Sequence, residues 1–283
     1  MNRVGLIGLG TMGGPMASNI VRAGLDLTVF DVRAEPAARL AAEGASVATS
    51  AAELGRTVDV ILLVVVDEAQ ADAVLVGSPE QPGVLQFAKP GSVVVVHSTV
   101  GPQACRRLAD LAAARGIDLL DAPISGGPSG ARAGTLAVMV GGDEAALARC
   151  RFAIEPVSAK IVHVGPVGAG QLAKLANNMV LAITMQAVHE ALMLGREAGI
   201  DPDLLLQVLG SGAADSWTVQ HWRDIGESAR VYPGGAEGVA ALTHKDLALA
   251  LAAAQHAGID VPVTELTSHR LVGPYRAAQA QAV

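Results

Sequence analysis

Short apolar, β-branched runs alternate with alanine-rich stretches of helical period over the first 163 residues. The runs predict strands and the stretches between them predict helices. Nearly continuous apolar strands that alternate with helices are typical of a parallel sheet covered on both faces. We therefore expect a doubly wound α/β domain over residues 1–163. The predicted strands are Arg3–Ile7, Asp26–Phe30, Val60–Val65, Val93–His97, Asp118–Asp121, Thr135–Val140 and Ile161–Val164.

The hydrophobic pattern changes near Gly168, where helical period takes over for the rest of the chain. One apolar stretch runs from there to Gly199 and predicts a single helix about 45 Å long, at ~1.5 Å per residue. Asp201 and Pro202 then have the residue types of an N-cap and a first helical position. Polar and charged residues interrupt the long stretch, so we expect a helix buried in protein rather than a membrane span. The sequence thus predicts an all-helical domain over residues 164–283, opened by a long linking helix.

Composition and charge narrow the functional classes. The formal net charge is −7 and no basic run occurs, which argues against a nucleic-acid partner. Cys105 and Cys150 lie far apart, and the seven histidines lack ligand spacing. We therefore predict no metal site and no disulfide framework, and we expect a cytoplasmic protein.

A glycine-rich turn stands near the start of the chain, with Gly8, Gly10 and Gly13 between the first predicted strand and a helix. This is the context that a dinucleotide-binding turn requires. Its glycines permit a tight bend, backbone approach to a pyrophosphate and close helix–strand packing. Asp31 follows the second predicted strand, where a carboxylate binds the adenosine ribose hydroxyls and repels a 2′-phosphate. The sequence predicts NAD as cofactor, and the nearby cation of Arg33 leaves NADP as the alternative.

Two later segments carry candidate substrate chemistry. Ser125, Gly126 and Gly127 follow a strand end, where successive backbone N–H groups and a hydroxyl can bind a carboxylate. Lys174 and Asn178 are four residues apart on the long predicted helix, so they share one face. On local context alone, Lys174 is equally well explained as a solvated lysine that extends past apolar neighbours.

The chain resembles the β-hydroxyacid dehydrogenase family, which includes 3-hydroxyisobutyrate dehydrogenases and tartronate semialdehyde reductases. Similar proteins consist of an N-terminal Rossmann domain, a long linking helix and an all-α C-terminal domain, as the hydrophobic pattern also predicts. The resemblance covers essentially the full length. Four blocks carry it: Gly8-Leu-Gly10-Thr-Met-Gly13, Asp121-Ala-Pro-Ile-Ser125-Gly126-Gly127, Gly168-Ala-Gly170-Gln-Leu-Ala-Lys174-Leu-Ala-Asn177-Asn178, and Lys245-Asp246-Leu247.

The resemblance implies hydride transfer between NAD(H) and a small 3-hydroxyacid, such as 3-hydroxyisobutyrate, or its semialdehyde. It implies Lys174 as the general acid and base, and a homodimer or homotetramer. The substrate residues that it implies are Ser125, Gly126, Gly127, Asn178 and Lys245. The expected cofactor-binding residues are Gly8, Gly10, Thr11, Met12, Gly13, Asp31, Arg33, Val64, Val65, Thr99 and Lys245.

Two other functions stay open from the sequence. An imine reductase would share the glycine turn and the long helix, although such enzymes usually replace the lysine found here at Lys174. A non-catalytic dinucleotide-binding protein would keep the fold alone. Substrate identity is open as well, including a bulkier acid, because Gly238 stands where the family commonly has a phenylalanine and Trp217 and Trp222 add unusual aromatic content.

Overall fold

The computed structural model describes residues 3–282. Its strands are β1 (Val4–Ile7), β2 (Leu27–Phe30), β3 (Ser46–Val47), β4 (Val60–Leu63), β5 (Val93–Val96), β6 (Asp118–Asp121), β7 (Ile124–Ser125), β8 (Leu136–Gly141) and β9 (Ser158–Gly165). The helices that accompany them are α1 (Gly13–Arg22), α2 (Ala34–Glu43), α3 (Ala51–Thr57), α4 (Glu68–Leu75), α5 (Pro102–Ala113), α6 (Gly127–Ala133) and α7 (Glu144–Ile154). The later helices are α8 (Ala169–Glu197), α9 (Pro202–Gly210), α10 (Trp217–Gln220), α11 (Trp222–Val231), α12 (Gly235–Ala257), α13 (Pro262–Ser268) and α14 (Val272–Gln281).

The strands form one sheet in the order β3-β2-β1-β4-β5-β6-β8-β7, with β9 paired to β8. Pairings from β3 through to β6 are parallel. The strand order reverses direction between β1 and β4, and ligands of such sheets bind beyond the carboxyl ends of the strands at this switch point. The doubly wound fold predicted from the sequence is confirmed.

The sheet departs from the expectation in two respects. The two-residue strands β3 and β7 were not predicted, because two residues give no hydrophobic period to detect. The sheet is also not wholly parallel, since β8 runs antiparallel to β6 and β7. Residues 126–135 alone connect β7 to β8, fewer than the roughly dozen or more that a crossover between parallel neighbours needs.

Alternate residues of the central strands enter two different cores. In β4, Val60 and Leu62 belong to the core on one face of the sheet, whereas Ile61 and Leu63 belong to the core on the other. All four are at most 3% exposed. Burial on both faces explains why these strands are continuous apolar runs rather than alternating ones.

The packing divides the chain into two compact units, one up to Lys174 and one from Leu175 onward. The sequence predicts a boundary after residue 163, between a cofactor-binding domain and a substrate-binding domain. This functional division stays a prediction. Past the sheet, the described part of the chain contains helices only. The long helix predicted to end before Gly199 is α8, which ends at Glu197.

The second unit is organised around Trp222, which is 1% exposed and packs with Leu247 and Tyr275. Its indole N–H donates to the Gln281 side chain. Asp201 caps α9 as predicted, since its carboxylate accepts backbone N–H groups of the first turn. No helix within residues 3–282 combines the length and the apolarity needed to cross a membrane.

Candidate active site

Each of the three glycines in the turn between β1 and α1 has a different structural role. Gly8 has φ +94°, and a Cβ there would overlap the carbonyl oxygen of Val64. A Cβ at Gly13 would overlap the carbonyl oxygen of Gly8, so α1 packs directly on the turn. Around Gly10, by contrast, a Cβ would meet no atom within 4 Å. The backbone there is exposed and accessible, which fits the close approach of a pyrophosphate.

Asp31 follows β2 and is fixed by the glycine turn itself. Its Oδ2 accepts the Leu9 N–H at 2.7 Å, and its Oδ1 accepts the Arg33 N–H at 2.9 Å. The Arg33 guanidinium is 62% exposed and lies 3.1 Å from the same carboxylate. Burial opposes ionisation of Asp31, but hydrogen bonds from Arg33 and Leu9 prevail and lower its pKa. The carboxylate is therefore held as an anion at the end of β2, where the sequence predicts a contact with the adenosine ribose.

The remaining predicted cofactor residues lie around the carboxyl ends of β1, β4 and β5. Val64 donates its N–H to the Ile7 carbonyl at 2.8 Å. Val65 donates its N–H to the Ser98 hydroxyl at 2.8 Å, which joins the segments after β4 and β5. The structure thus places Val64 and Val65 beside the glycine turn, and Thr99 directly follows Ser98 in the chain. Thr11 is exposed and Met12 packs partly on the core, and the contacts of all five with a cofactor stay predictions.

The loop predicted to bind a carboxylate begins in β7. Ser125 is half-buried at the end of this strand, and Gly126 and Gly127 are exposed. Both glycines have positive φ, +129° and +63°, a conformation that other residues rarely adopt. A Cβ at Gly127 would meet nothing within 4 Å. The main chain is therefore open to a small anion, as the prediction for this loop requires.

A buried polar network that the sequence did not predict lies at the start of α8. Asp121, at the end of β6, accepts the Gly168 and Gln171 N–H groups at 2.7 Å each. The Gln171 side chain accepts the Val100 N–H at 3.1 Å and donates to the Ser98 carbonyl at 2.9 Å. Burial raises the pKa of Asp121, although its backbone hydrogen bonds oppose the rise. A charged residue that closes the apolar run of β6 was the signal in the sequence.

Lys174 lies half-buried in the second turn of α8, three residues after Gln171. Residues three and four apart share a helix face, so Gln171, Lys174 and Asn178 form one stripe along α8.

In the second unit, Asp246 gathers two of the predicted substrate residues. Its Oδ2 accepts a hydrogen bond from the Asn178 side chain at 2.6 Å, and its Oδ1 lies 3.1 Å from the Lys245 ammonium. Asn178 and Asp246 are each at most 8% exposed. Asp246 had no predicted role, although it belongs to the block that contains Lys245. Its carboxylate orients the amide of Asn178 and balances the charge of Lys245.

The unusual residues of the helical unit have packing explanations. A Cβ at Gly238 would overlap the Pro233 carbonyl oxygen, so this backbone has no room for a phenylalanine. Trp222 belongs to the core, as described above. Trp217 is 54% exposed and stacks on His221 with ring centroids 4.5 Å apart. Across residues 3–282, no cluster of three or more His, Cys, Asp or Glu side chains could hold a metal ion.

Comparison with known families assigns both parts of the chain. Residues 3–165 match the family model described as the NAD binding domain of 6-phosphogluconate dehydrogenase. Residues 168–282 match the model described as "NAD-binding of NADP-dependent 3-hydroxyisobutyrate dehydrogenase".

Individual proteins agree with these matches. An NAD-dependent L-serine dehydrogenase of Pseudomonas aeruginosa is 38% identical over 272 residues, which is 94% of this chain and 90% of that protein. A solved 3-hydroxyisobutyrate dehydrogenase of Mycobacterium tuberculosis with L-serine is 31% identical, has a TM-score of 0.83 and is matched over 100% of both chains. A Streptomyces aurantiacus imine reductase has a TM-score of 0.67 at 22% identity over 99% of this chain and 96% of its own, which shows a shared fold alone. The chain therefore belongs to the 3-hydroxyisobutyrate dehydrogenase family of oxidoreductases.

Proposed function

We propose that this protein catalyses the reversible, NAD-linked oxidation of a small 3-hydroxyacid to the corresponding semialdehyde. The arrangement at the switch point of the sheet carries the proposal. The glycine turn there is open and Asp31 is held in place by the Leu9 N–H. Helix α8 begins at the same sheet and contains Lys174. Together they provide a dinucleotide site and a proton donor and acceptor. Family membership supports the same reaction class.

The proposed division of labour follows from the residues. NAD, when bound, supplies the redox chemistry, in which a hydride leaves the hydroxyl-bearing carbon of the substrate. Lys174 takes the hydroxyl proton during oxidation and returns a proton to the carbonyl oxygen during reduction. Ser125, Gly126 and Gly127 bind the substrate carboxylate through N–H and hydroxyl donors. Asn178 and Lys245, both held by Asp246, bind polar groups of the substrate, and Lys245 also serves the cofactor.

The cofactor site favours NAD over NADP in this proposal. A 2′-phosphate would meet the Asp31 carboxylate, which the Leu9 N–H fixes in place and which stays ionised. Arg33 already contributes its cation to Asp31, so its charge is partly neutralised before any phosphate arrives. The remaining proposed contacts come from Gly8, Gly10, Thr11, Met12, Gly13, Val64, Val65 and Thr99.

The substrate class is a small 3-hydroxyacid. L-serine and 3-hydroxyisobutyrate, named for the relatives described above, are both three-carbon acid backbones with a terminal hydroxyl. We propose one of these two, or a close analogue, as substrate. The absence of a side chain at Gly238 leaves no extra space for a bulkier acid, because the Pro233 carbonyl oxygen occupies that position. Trp222 leaves none either, because it is buried in the core.

Substitution of the lysine tests the proposal. We expect Lys174→Ala to lower kcat by about 10²- to 10⁴-fold with either acid, the usual contribution of general acid–base catalysis. Binding of NADH, measured by fluorescence, should persist. The exposed Lys160 provides the control, because Lys160→Ala removes the same charge from β9. Near-normal turnover in Lys174→Ala would refute the role of the lysine.

A substrate screen separates the remaining functions. Serine, 3-hydroxyisobutyrate, their semialdehydes and a cyclic imine are assayed with NAD(H) and NADP(H) in parallel. Reduction of the imine without oxidation of any hydroxyacid would favour an imine reductase. Tight NADH binding without turnover of any compound would favour a non-catalytic dinucleotide-binding protein.

We further propose a cytoplasmic homodimer or homotetramer. Helices α8 and α9 expose several large apolar side chains, a pattern typical of subunit contacts. These residues are Val180, Met193, Leu194, Leu204 and Val208. Residues 1–163 would then serve the cofactor and residues 164–283 the substrate and the subunit contact. Light scattering coupled to size-exclusion chromatography measures the oligomer directly.

A further inference from the structure

Three buried side chains form a connected network, here named the α8 clamp and consisting of Asp121, Gln171 and Ser98. Asp121 and Gln171 are 0% exposed and Ser98 is 4% exposed. Through the hydrogen bonds given above, the clamp joins the start of α8 to the end of β6 and to the segments after β4 and β5. Every member of the clamp lies within the first compact unit.

The Gln171 side chain makes every clamp hydrogen bond that its amide oxygen and nitrogen need in order to be paired. Both amide atoms of Gln171 are paired, one as acceptor and one as donor. Because a buried amide without partners is strongly unfavourable, Gln171 has a single favourable arrangement. Asp121 acts as a cap from outside the helix, because its two oxygens accept the N–H groups of Gly168, just before α8, and of Gln171 in its first turn.

Two glycines bring the helix close enough for these bonds. A Cβ at Gly170 would lie 2.5 Å from the Met139 carbonyl oxygen and 2.6 Å from that of Asp121. A Cβ at Gly141 would lie 2.5 Å from Asp121 Oδ1. Since real Cβ contacts are not this short, the helix start rests on bare backbone at the ends of β6 and β8.

We infer that Gln171 and Asp121 are positioning residues that fix the Lys174 turn of α8 against the cofactor-binding segments. Lys174 follows Gln171 by three residues on the same face, so rotation or sliding of α8 at Gln171 moves the lysine directly. The segments that Gln171 and Ser98 join contain Val65 and Thr99, both assigned to the cofactor. This inference rests on the proposed function, because it presumes that Lys174 transfers the proton.

The first test removes the clamp bonds of Gln171 without emptying its space. Gln171→Met keeps the length of the side chain and loses both hydrogen bonds. A displacement of ~1 Å at the reacting groups costs about 10²-fold in rate, so we expect kcat per NADH-binding site to fall about 10- to 100-fold. The Kd for NADH should change by less than about threefold, which places the loss in the reacting complex. With NADH deuterated at C4, the kinetic isotope effect on kcat should rise, because the chemical step becomes slower.

A second variant supplies rescue by pH. In Gln171→Glu, a protonated carboxyl can still donate to the Ser98 carbonyl and accept the Val100 N–H. An ionised carboxylate would instead place negative charge against the Ser98 oxygen. We therefore expect kcat near the wild-type value at low pH and a fall as pH rises through the pKa of the new carboxyl. A merely structural role would give no such ionisation in kcat per NADH-binding site.

The control is Gln186→Met, which makes the same replacement farther along α8, where the side chain bonds only Glu190. It should keep the wild-type kcat. Wild-type kcat in Gln171→Met, or a wild-type pH profile in Gln171→Glu, would overturn the inference. If Lys174→Ala stays active, the proposed function fails; if that variant is inactive while Gln171→Met is fully active, only the positioning role fails.

Discussion

His97 offers a quantitative test of how the buried polar groups of the sheet behave. It follows β5 and is 2% exposed. Its Nδ1 lies 2.6 Å from the Ala122 carbonyl oxygen, which can only accept, so the proton of the neutral ring is on Nδ1. Within residues 3–282, Nε2 has no hydrogen-bonding partner. Burial lowers the pKa of His97 from 6.5 to about 4, and the bond to Ala122 only partly opposes this change.

The sign and size of the effect on stability follow from these values. Because the folded state binds the proton more weakly than the unfolded state, the stabilisation is complete above pH 6.5 and is lost as pH falls toward 4. A difference of about 2.5 pH units between the two pKa values corresponds to about 3–4 kcal/mol, at ~1.4 kcal/mol per unit. By linkage, about 2 kcal/mol of this amount is already lost at pH 5.

Replacement of the ring isolates this contribution. His97→Asn keeps an N–H donor for the Ala122 carbonyl and removes the titrating group. We expect the free energy of unfolding, measured by urea titration at pH 7.5 and at pH 5, to fall by about 2 kcal/mol more in the wild type than in the variant. His256→Asn serves as the control, because that ring is exposed. Equal losses in the wild type and in His97→Asn would refute the assignment of a neutral, buried imidazole.

Two further substitutions test the cofactor site and the packing of the start of α8 on the sheet. Asp31→Ser removes the anion proposed to face the ribose, so the ratio of kcat/KM with NADP to kcat/KM with NAD should rise by at least about tenfold, or ~1.4 kcal/mol. As a control, Asp26→Ser at an exposed position should leave this ratio unchanged. An unchanged ratio in Asp31→Ser would contradict the proposed role of Asp31 in cofactor preference. Gly170→Ala places a Cβ 2.5 Å from the Met139 carbonyl oxygen and should lower the free energy of unfolding by about 1–3 kcal/mol. In Gly212→Ala the nearest atom is 3.6 Å away, so a similar loss in both variants by urea titration would argue against close approach at Gly170.

The strands of the sheet could be predicted because their apolar runs are continuous. Val60 to Leu63 face two cores, and no polar alternation obscures such a run. The two-residue strands β3 and β7 lack that information, so only their neighbours reveal them. The antiparallel pairing of β8 follows from the short connection between β7 and β8, a feature of chain length rather than of hydrophobic period.

The candidate site was predictable where backbone conformation restricts the residue type. Gly8 and Gly127 have positive φ, and glycine at such positions is visible in the sequence. Polar residues that act through buried partners were not predictable in the same way. Gln171 and Asp246 stand in recognisable blocks, yet their partners are 73 and 68 residues away along the chain. Hydrophobic period carries no information on such pairs, and the folded structure is needed to find them.

The start of α8 carries both the residues that position the helix on the sheet and the lysine proposed to transfer the proton. Gly170 allows the helix to touch the strand ends, Gln171 fixes its rotation, and Lys174 follows one turn later on the same face. The bonds of this support lie entirely within the first compact unit, whereas Lys245 and Asp246 belong to the second. Substitutions that change substrate preference in the helical unit therefore leave the clamp bonds intact.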